Sequence, residues 1–510
     1  MSKSLIRSTG AVSGMTLISR VLGFLRDMIA AHLFGATAEV DAFLVAFKIP
    51  NFMRNLFAEG AFQQSFVPVL SEYHAQKTLP EIRRFTSHIS GCLSAVLIPF
   101  CILGMLGAPV VINLFAPGFN AEPHRFHLAV SMLYITFPFI FFLSLSAYMA
   151  SVLNTFGRFL APAFTSSILN ICMIFTAIYL SPHMRIPVES QAYAVFVAGL
   201  LQILFLAPFL KKLDLLAMPR ISWRDPGVKR VLKLMLPAIF GASVGQISVL
   251  VTTIFASFLP IGSITWLYFS ERLMQFPQGV IAVALATVVL PHLSRQHASK
   301  SFEEFKKAFE WGIRCNLLVG TLAAVTLWLM AGPLIISLFK YGKFNLEDVL
   351  MTQKSTIAYA IGLPAFMLGK LLVNGFFAKQ NIKTPVKLGF LIVVVNVALD
   401  AILIFPLAHA GLALASSCAQ WFNVLMLLYL LNKHGVYKPG KHWFKFLARL
   451  AFANLVIGFL FWHAAHPIEQ WAAWHAGERL IRLLAWLILG TLLYAVCLFA
   501  VGVRKNDLHV

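Results

Sequence analysis

Ser19-Arg20-Val21-Leu22-Gly23-Phe24-Leu25-Arg26-Asp27 lies inside an apolar run at 14–34. Its three charges constrain the fold more than any other part of the chain. The next apolar run, 41–70, holds Asp41, Lys48, Arg54 and Glu59. An ionised side chain at the centre of a bilayer costs about 2.5–3.5 kcal/mol on insertion scales. A chain that carries several there must shelter them in a wet cavity or pair them.

The surrounding composition shows that a bilayer is the solvent in question. Of 510 residues, 59% are hydrophobic and 12% charged, with a mean hydropathy of +0.80. Soluble proteins of this length are not built so; polytopic membrane proteins are. A net charge of +21 would suit nucleic acid. Most of the bases instead lie in short segments between apolar runs, as topology signals do, so no nucleic-acid partner is expected. The six cysteines are scattered through apolar runs without metal-ligand spacing and read as small buried hydrophobes. Lys3 and Arg7 precede a run too long and too charged for a signal-peptide core, so that run reads as the first membrane helix.

A span needs about 20 apolar residues. Fourteen candidates follow, near 14–34, 41–70, 88–115, 127–153, 161–181, 190–210, 233–258, 264–291, 312–338, 355–378, 386–405, 411–431, 446–463 and 480–502. The second is longer than a bilayer core, and Pro50, Gly60 and Pro68 predict that it is broken or tilted. With the N-terminus in the cytoplasm, the outer segments hold only Arg125, Arg185, Lys340, Lys343, Lys354, Arg479 and Arg482. Both termini are therefore expected inside. Span two ends in Val-Pro-Val-Leu-Ser-Glu (67–72) and span eight in Leu-Pro-His-Leu-Ser-Arg (290–295), a weak repeat of six helices. The expected fold is an all-α polytopic membrane protein with 14 transmembrane helices. An N-terminal lobe (1–210, spans 1–6) and a C-terminal lobe (233–432, spans 7–12) flank a basic cytoplasmic linker (211–232). Two extra helices follow (433–510, spans 13–14).

Arg20, Arg26, Lys48, Arg54, Arg272 and Lys370 are left over, since topology cannot explain a base inside a span. On a helix, Arg20 and Asp27 share a face two turns apart. Pro50 frees a carbonyl within span two, which a cavity or polar partner must satisfy. One reading makes these bases salt bridges to Asp27, Asp41, Glu59 and Glu271 that hold helices together. Four acids against six bases leave positive charge over. The other reading is an electropositive cavity for an anionic group. Four of the six bases are arginine, whose planar fork suits phosphate.

At these residues the chain resembles the MurJ/MviN family of lipid II flippases. The resemblance rests on 19–27, on Lys48-Ile49-Pro50-Asn51-Phe52-Met53-Arg54, on Phe57-Ala58-Glu59-Gly60-Ala61-Phe62, on Arg272-Leu273-Met274, and on Lys383-Thr384-Pro385-Val386-Lys387. It implies a member of the multidrug/oligosaccharidyl-lipid/polysaccharide exporter superfamily. Such a protein carries the undecaprenyl-pyrophosphate-linked peptidoglycan precursor across the bacterial cytoplasmic (inner) membrane. The family's critical arginines fall on Arg20, Arg26, Arg54 and Arg272. Asp27, Asp41, Lys48 and Glu59 match further cavity charges, with Glu271 and Lys370 beside them. The resemblance also implies a lipid-tail groove on spans 13–14 and a weak sodium site at Asn396, Asp400 and Ser416. Thr252 stands where an acid is expected on span seven, which weakens that site, since a hard cation prefers carboxylate oxygen. Partners implied are membrane lipids and the cell-wall synthesis machinery. No cofactor is expected; coupling to Na⁺, to H⁺ or to the membrane potential stays open.

Two rivals remain. A cation-coupled multidrug antiporter of the same superfamily would want an acidic cavity, and Asp400 is its best support. A membrane enzyme would want paired catalytic groups beside a sizeable outer loop. The outer loops here are short, and His124-x-x-His127 lacks a third ligand.

Overall fold

Proline, glycine and charge divide the apolar runs into helices. The computed structural model describes residues 3–54, 61–279, 302–378, 381, 383–435, 437, 440, 442–465 and 467–503. Among the described residues there is no β-strand. The chain forms two compact units, Met1–Gly262 and Ser263–Val510.

The first unit contains α1 (Lys3–Phe34), α2 (Ala38–Met53), α3 (Gln63–Gln76), α4 (Leu79–Leu106) and α5 (Ala108–Phe115). It continues with α6 (Pro123–Thr136), α7 (Phe139–Thr155), α8 (Leu160–Phe175), α9 (Glu189–Lys211) and α10 (Pro226–Ser257). Most of the chain between α2 and α3, where span two was expected to be broken or tilted, lies outside the described residues. Pro50 lies within α2, and the carbonyl it frees, that of Ala46, accepts the Thr136 hydroxyl of α6 at 3.3 Å. The polar partner that an intramembrane proline requires is therefore present. Thr78 and Glu81 start α4 with a capping box, in which the Thr78 amide and hydroxyl both donate to Glu81 Oε2 at 2.9 Å.

The second unit contains α11 (263–279), α12 (Phe302–Leu329), α13 (Ala331–Phe339), α14 (Leu346–Ala378), α15 (Lys383–Lys433), α16 (His442–Ala465), α17 (Ile468–Ala473) and α18 (Ala476–Ala500). Two helices meet inside α15 at Ala408, whose backbone (φ 48°, ψ −129°) is left-handed and costly for a residue with a Cβ. Pro406 and Gly411 flank the turn, and a Cβ at Gly411 would meet the Leu403 carbonyl. The buried His409 pins the turn through Nε2 to the Met351 carbonyl at 2.8 Å, with its ring against Trp266. This turn separates the runs expected at 386–405 and 411–431.

Nine helices among the described residues are long and apolar enough to cross a membrane. The wide share of exposed leucine, phenylalanine and valine on α16 and α18 fits a surface that meets lipid. Neither α1 nor α2 is among the nine. α1 contains Arg20, Arg26 and Asp27, and α2 is 16 residues long.

The linker after α9 is not loose. The Arg220 amide donates to the Ser87 carbonyl at 3.0 Å, and the Ser87 hydroxyl donates to the Met218 carbonyl. His88 Nδ1 lies 2.9 Å from Asp225 Oδ2, while Asp225 Oδ1 accepts the Gly227 and Val228 amides and so caps α10. Glu72 and Arg230 add an exposed pair at 2.8 Å, and the hydrogen bond from Arg230 holds the Glu72 carboxyl below its usual range. Beneath them Phe66, Phe85, Tyr148, Leu215, Val228 and Val231 share one buried cluster. Gly91 lets the strap lie flat, since a Cβ there would overlap the backbone of Arg220. Gly91→Val should lift it. Overpacking costs about 1–3 kcal/mol, so tryptic cleavage of the purified protein at Lys211, Lys212, Arg220 or Arg224 should accelerate about tenfold. Gly477→Ala, where nothing lies within 4 Å, is the control. Equal cleavage rates in both variants would show that the strap is not held at Gly91.

Candidate functional site

In the first unit, α1 and α8 pack side by side and position the charges of 19–27. Arg26 and Asp27 are both buried. Arg26 Nη2 and Nε donate to Asp27 Oδ1 at 2.6 and 3.0 Å, and Nη1 donates to Asn170 Oδ1 at 3.0 Å. Asn170 Nδ2 returns a bond to the Ser19 carbonyl at 3.1 Å, closing the network across the two helices. Gly23 faces the same asparagine, 3.5 Å from where its Cβ would stand. Arg20, two turns before Asp27, is exposed. The face shared by Arg20 and Asp27 thus carries one exposed base and one buried acid.

On α2, Asp41 is fully buried. Its Oδ2 accepts Arg125 Nη2 at 2.7 Å and the Gly262 amide at 2.8 Å. Arg125 also lies over the Phe119 ring, 4.1 Å from its centroid. Read from sequence as an outer topology signal, Arg125 is in the structure a buried ion-pair partner. Sequence reasoning missed it because 84 residues separate it from Asp41 and no local pattern joins them. Lys48 Nζ donates to Thr253 Oγ1 at 3.3 Å. Arg54, half-buried, stands just past the end of α2. Glu59 lies outside the described residues.

Arg54 borders a cavity of about 350 Å³ among α2, α3, α7, α8 and α9. Asn51, Gln63, Ser146, Asn154 and Gln202 supply most of the remaining polar lining. Nothing in the sequence pattern pointed to this cavity, because its walls come from five helices.

In the second unit, Arg272 of α11 is held by its own helix. Nη2 donates to the Tyr268 hydroxyl at 3.1 Å, and Nη1 donates to Gln275 Oε1 at 3.3 Å. Its guanidinium carbon lies 5.0 Å from the Tyr268 ring centroid. Gln275 Nε2 in turn donates to Glu271 Oε1 at 2.7 Å. Residues three and four apart on a helix are neighbours, so this chain of contacts is built locally and orients the guanidinium. Lys370, exposed on α14, donates to Gln278 Oε1 at 3.3 Å.

Asn396 and Asp400, one turn apart on α15, are both buried, and Asn396 Nδ2 donates to Asp400 Oδ2 at 2.8 Å. A carboxylate and an amide oxygen are hard donors that fit a sodium ion. Ser416 is half-buried on the same segment. Thr252 belongs to the first unit. Among the described residues no three His, Cys, Asp or Glu side chains gather into a metal cluster.

Chemically, the two units offer guanidinium groups oriented by neighbours and, in the first unit, a cavity beside one of them whose other described lining residues are uncharged. Comparison with known proteins places these features in a family. The family model described as lipid II flippase MurJ matches residues 30–482. A probable lipid II flippase MurJ of Vibrio cholerae is 42% identical over 516 residues, covering 100% of this chain and 98% of the relative. Its counterpart in Haemophilus influenzae is 41% identical, covering 97% of this chain and 99% of the relative. A solved structure of lipid II flippase MurJ in an inward closed conformation superposes with a TM-score of 0.81 at 28% identity, covering 97% of this chain and 99% of that one. An inward-facing multidrug resistance MATE family transporter superposes at 0.68 with 14% identity, covering 84% and 98%, and shares the fold alone.

Proposed function

This chain belongs to the MurJ family of lipid II flippases, and from that premise we propose that it carries lipid II from the inner to the outer leaflet of the bacterial cytoplasmic membrane. The observation that supports this most is similarity at above 40% identity along essentially the whole chain to relatives of that name. The protein is thus a membrane transporter that serves cell-wall synthesis, with the undecaprenyl-pyrophosphate-linked precursor as its substrate.

The finer architecture is part of the proposal. Fourteen spans place both termini in the cytoplasm, as the distribution of Lys and Arg supports. Two six-helix lobes alternate access to a charged path, and spans 13–14 guide the lipid tail. Arg20, Arg54 and Arg272 provide positive charge for the pyrophosphate, while Arg26, paired with Asp27, joins Asp41, Lys48, Glu59, Glu271 and Lys370 in setting the local balance. Cell-wall synthesis enzymes are proposed partners. The antiporter reading has the shared fold in its favour and the excess of bases against it.

Two negative charges moving outward across an inside-negative potential of 100 mV gain about 4.6 kcal/mol. Export driven by the membrane potential alone is therefore sufficient in principle. Sodium coupling, with Asn396, Asp400 and Ser416 holding the ion, is the competing proposal. The test is lipid II exposure in the outer leaflet after depletion of the protein, with potential and Na⁺ varied independently. Exposure should fall on depletion and on collapse of the potential. Unchanged exposure on depletion would refute the flippase function; dependence on Na⁺ alone would refute the potential-driven form.

A further inference from the structure

Within the second unit, α13 packs against both α17 and α18. Lys340 ends α13, and Arg479 stands in the first turn of α18, where the helix dipole opposes a cation. Both donate to one acceptor, the Ala472 carbonyl in the last turn of α17: Lys340 Nζ at 3.2 Å and Arg479 Nη2 at 2.6 Å. Arg479 Nη1 also donates to the Lys340 carbonyl at 3.4 Å, and its guanidinium carbon lies 5.9 Å from the Tyr341 ring centroid. Two cations therefore converge on a neutral oxygen. Among the described residues no carboxylate lies within 4.0 Å of either. Glu478, the acid next in sequence, is taken by Arg482 at 2.9 Å. Arg479 is buried and Lys340 half-buried. Burial, and then the charge of Arg479, hold the Lys340 ammonium below its usual range. The pair is short of an anion, and Lys340 is the member that an anion can reach.

The surroundings identify the source of that anion. Trp471 and Trp474 stand on either side of Ala472 in sequence, with ring centroids 5.0 Å apart, and Arg482 lies 4.0 Å over the Trp474 ring. Ile481 and Leu484, exposed on α18 just beyond Arg479, begin the apolar surface that meets lipid. Tryptophan and bases at the edge of such a surface mark headgroup depth. Phosphate is the common anion at that depth, and a guanidinium fork with an ammonium beside it suits phosphate oxygens. We propose that Lys340 and Arg479 bind the phosphate of an outer-leaflet phospholipid with a small anionic headgroup, such as phosphatidylglycerol. Its single phosphodiester brings one negative charge on a slim headgroup to a half-buried base. The pyrophosphate of the transported lipid would bring a large glycan and peptide with it. The site requires the fold and the membrane but not the transport activity. A lipid held there ties the ends of α13, α17 and α18 to the leaflet.

The experiment follows acylation of Lys340 by a water-soluble N-hydroxysuccinimide ester in the purified full chain, with peptide mass spectrometry as the readout. Phosphatidylglycerol added to the micelles should slow the reaction about tenfold, because a bound phosphate covers the amine and keeps it protonated. Dioleoylglycerol, which has the tails but no phosphate, should change the rate by less than about twofold. Lys354, an exposed base assigned to the same side, should react equally in both. In native mass spectrometry Lys340→Gln, which keeps a donor for the Ala472 carbonyl but not the charge, should weaken phosphatidylglycerol binding about tenfold, and Lys354→Gln by less than about twofold. An unchanged rate at Lys340, equal slowing by dioleoylglycerol, or undiminished binding by Lys340→Gln would overturn the site. Slowing by lipid II with none by phosphatidylglycerol would also overturn it and give the pair to the transported lipid. None of these outcomes bears on whether the protein is a flippase.

Discussion

Arg54→Ala should abolish rescue of a depleted strain while the protein accumulates normally. Arg26→Ala should lose the protein itself. The two arginines look alike in sequence but sit in different surroundings. Arg54 is half-buried and borders a polar cavity. Truncating it removes a charge-assisted, fork-shaped donor worth about 1.5–3 kcal/mol per hydrogen bond to phosphate. Arg26 is buried against Asp27 at 2.6 Å and tied to Asn170 of α8. Taking away its guanidinium deprives a buried carboxylate of its partner, at a cost of about 3–5 kcal/mol. Arg20→Ala should follow Arg54→Ala, because Arg20 is exposed and its loss breaks no packing. Complementation, membrane abundance and thermal unfolding of each purified variant separate the cases. Full rescue by Arg54→Ala would remove it from the substrate path. Normal abundance and stability of an inactive Arg26→Ala would make Arg26 a substrate contact rather than a structural one.

Asp41 and Arg125 should behave as one unit. Each single replacement by leucine leaves the other charge in a site that is 0–2% exposed. The expected penalty is about 3–5 kcal/mol for either. The double replacement removes both charges and leaves chiefly the Gly262 amide without its acceptor, a loss of about 1–3 kcal/mol. In thermal unfolding the double variant should therefore be more stable than either single one, a non-additivity expected of contacting charges. Strict additivity would show that the two residues act independently. This pair also corrects the topological use of Arg125: a base counted between apolar runs can be structural when a distant acid is folded onto it.

Legibility followed the range of the interaction. The carbonyl left over within α2 was readable because Pro50 forbids one hydrogen bond whatever the rest of the chain does. Thr136 as the group that relieves the freed carbonyl was not readable, since it arrives from another helix. The turn between 405 and 411 was readable from its flanking residues. The left-handed Ala408 was not, because an alanine adopts that backbone only when surrounding packing imposes it. The contacts of Arg272 with Tyr268 and Gln275 follow helical spacing and could have been derived locally. The clamp of His88 on Asp225 joins residues 137 apart and could not.

The sequence by itself determined that this is a helical membrane protein with more intramembrane base than acid. Hydropathy, proline and charge act on the chain wherever they stand, so they can be counted along it. Only the tertiary structure decided which of these bases are paired with buried acids. Arg26 and Arg125 are neutralised by buried acids, whereas Arg54 borders a polar cavity whose walls come from five helices. That division depends on which residues become neighbours on folding, and hydropathy or charge counted along one chain does not record it.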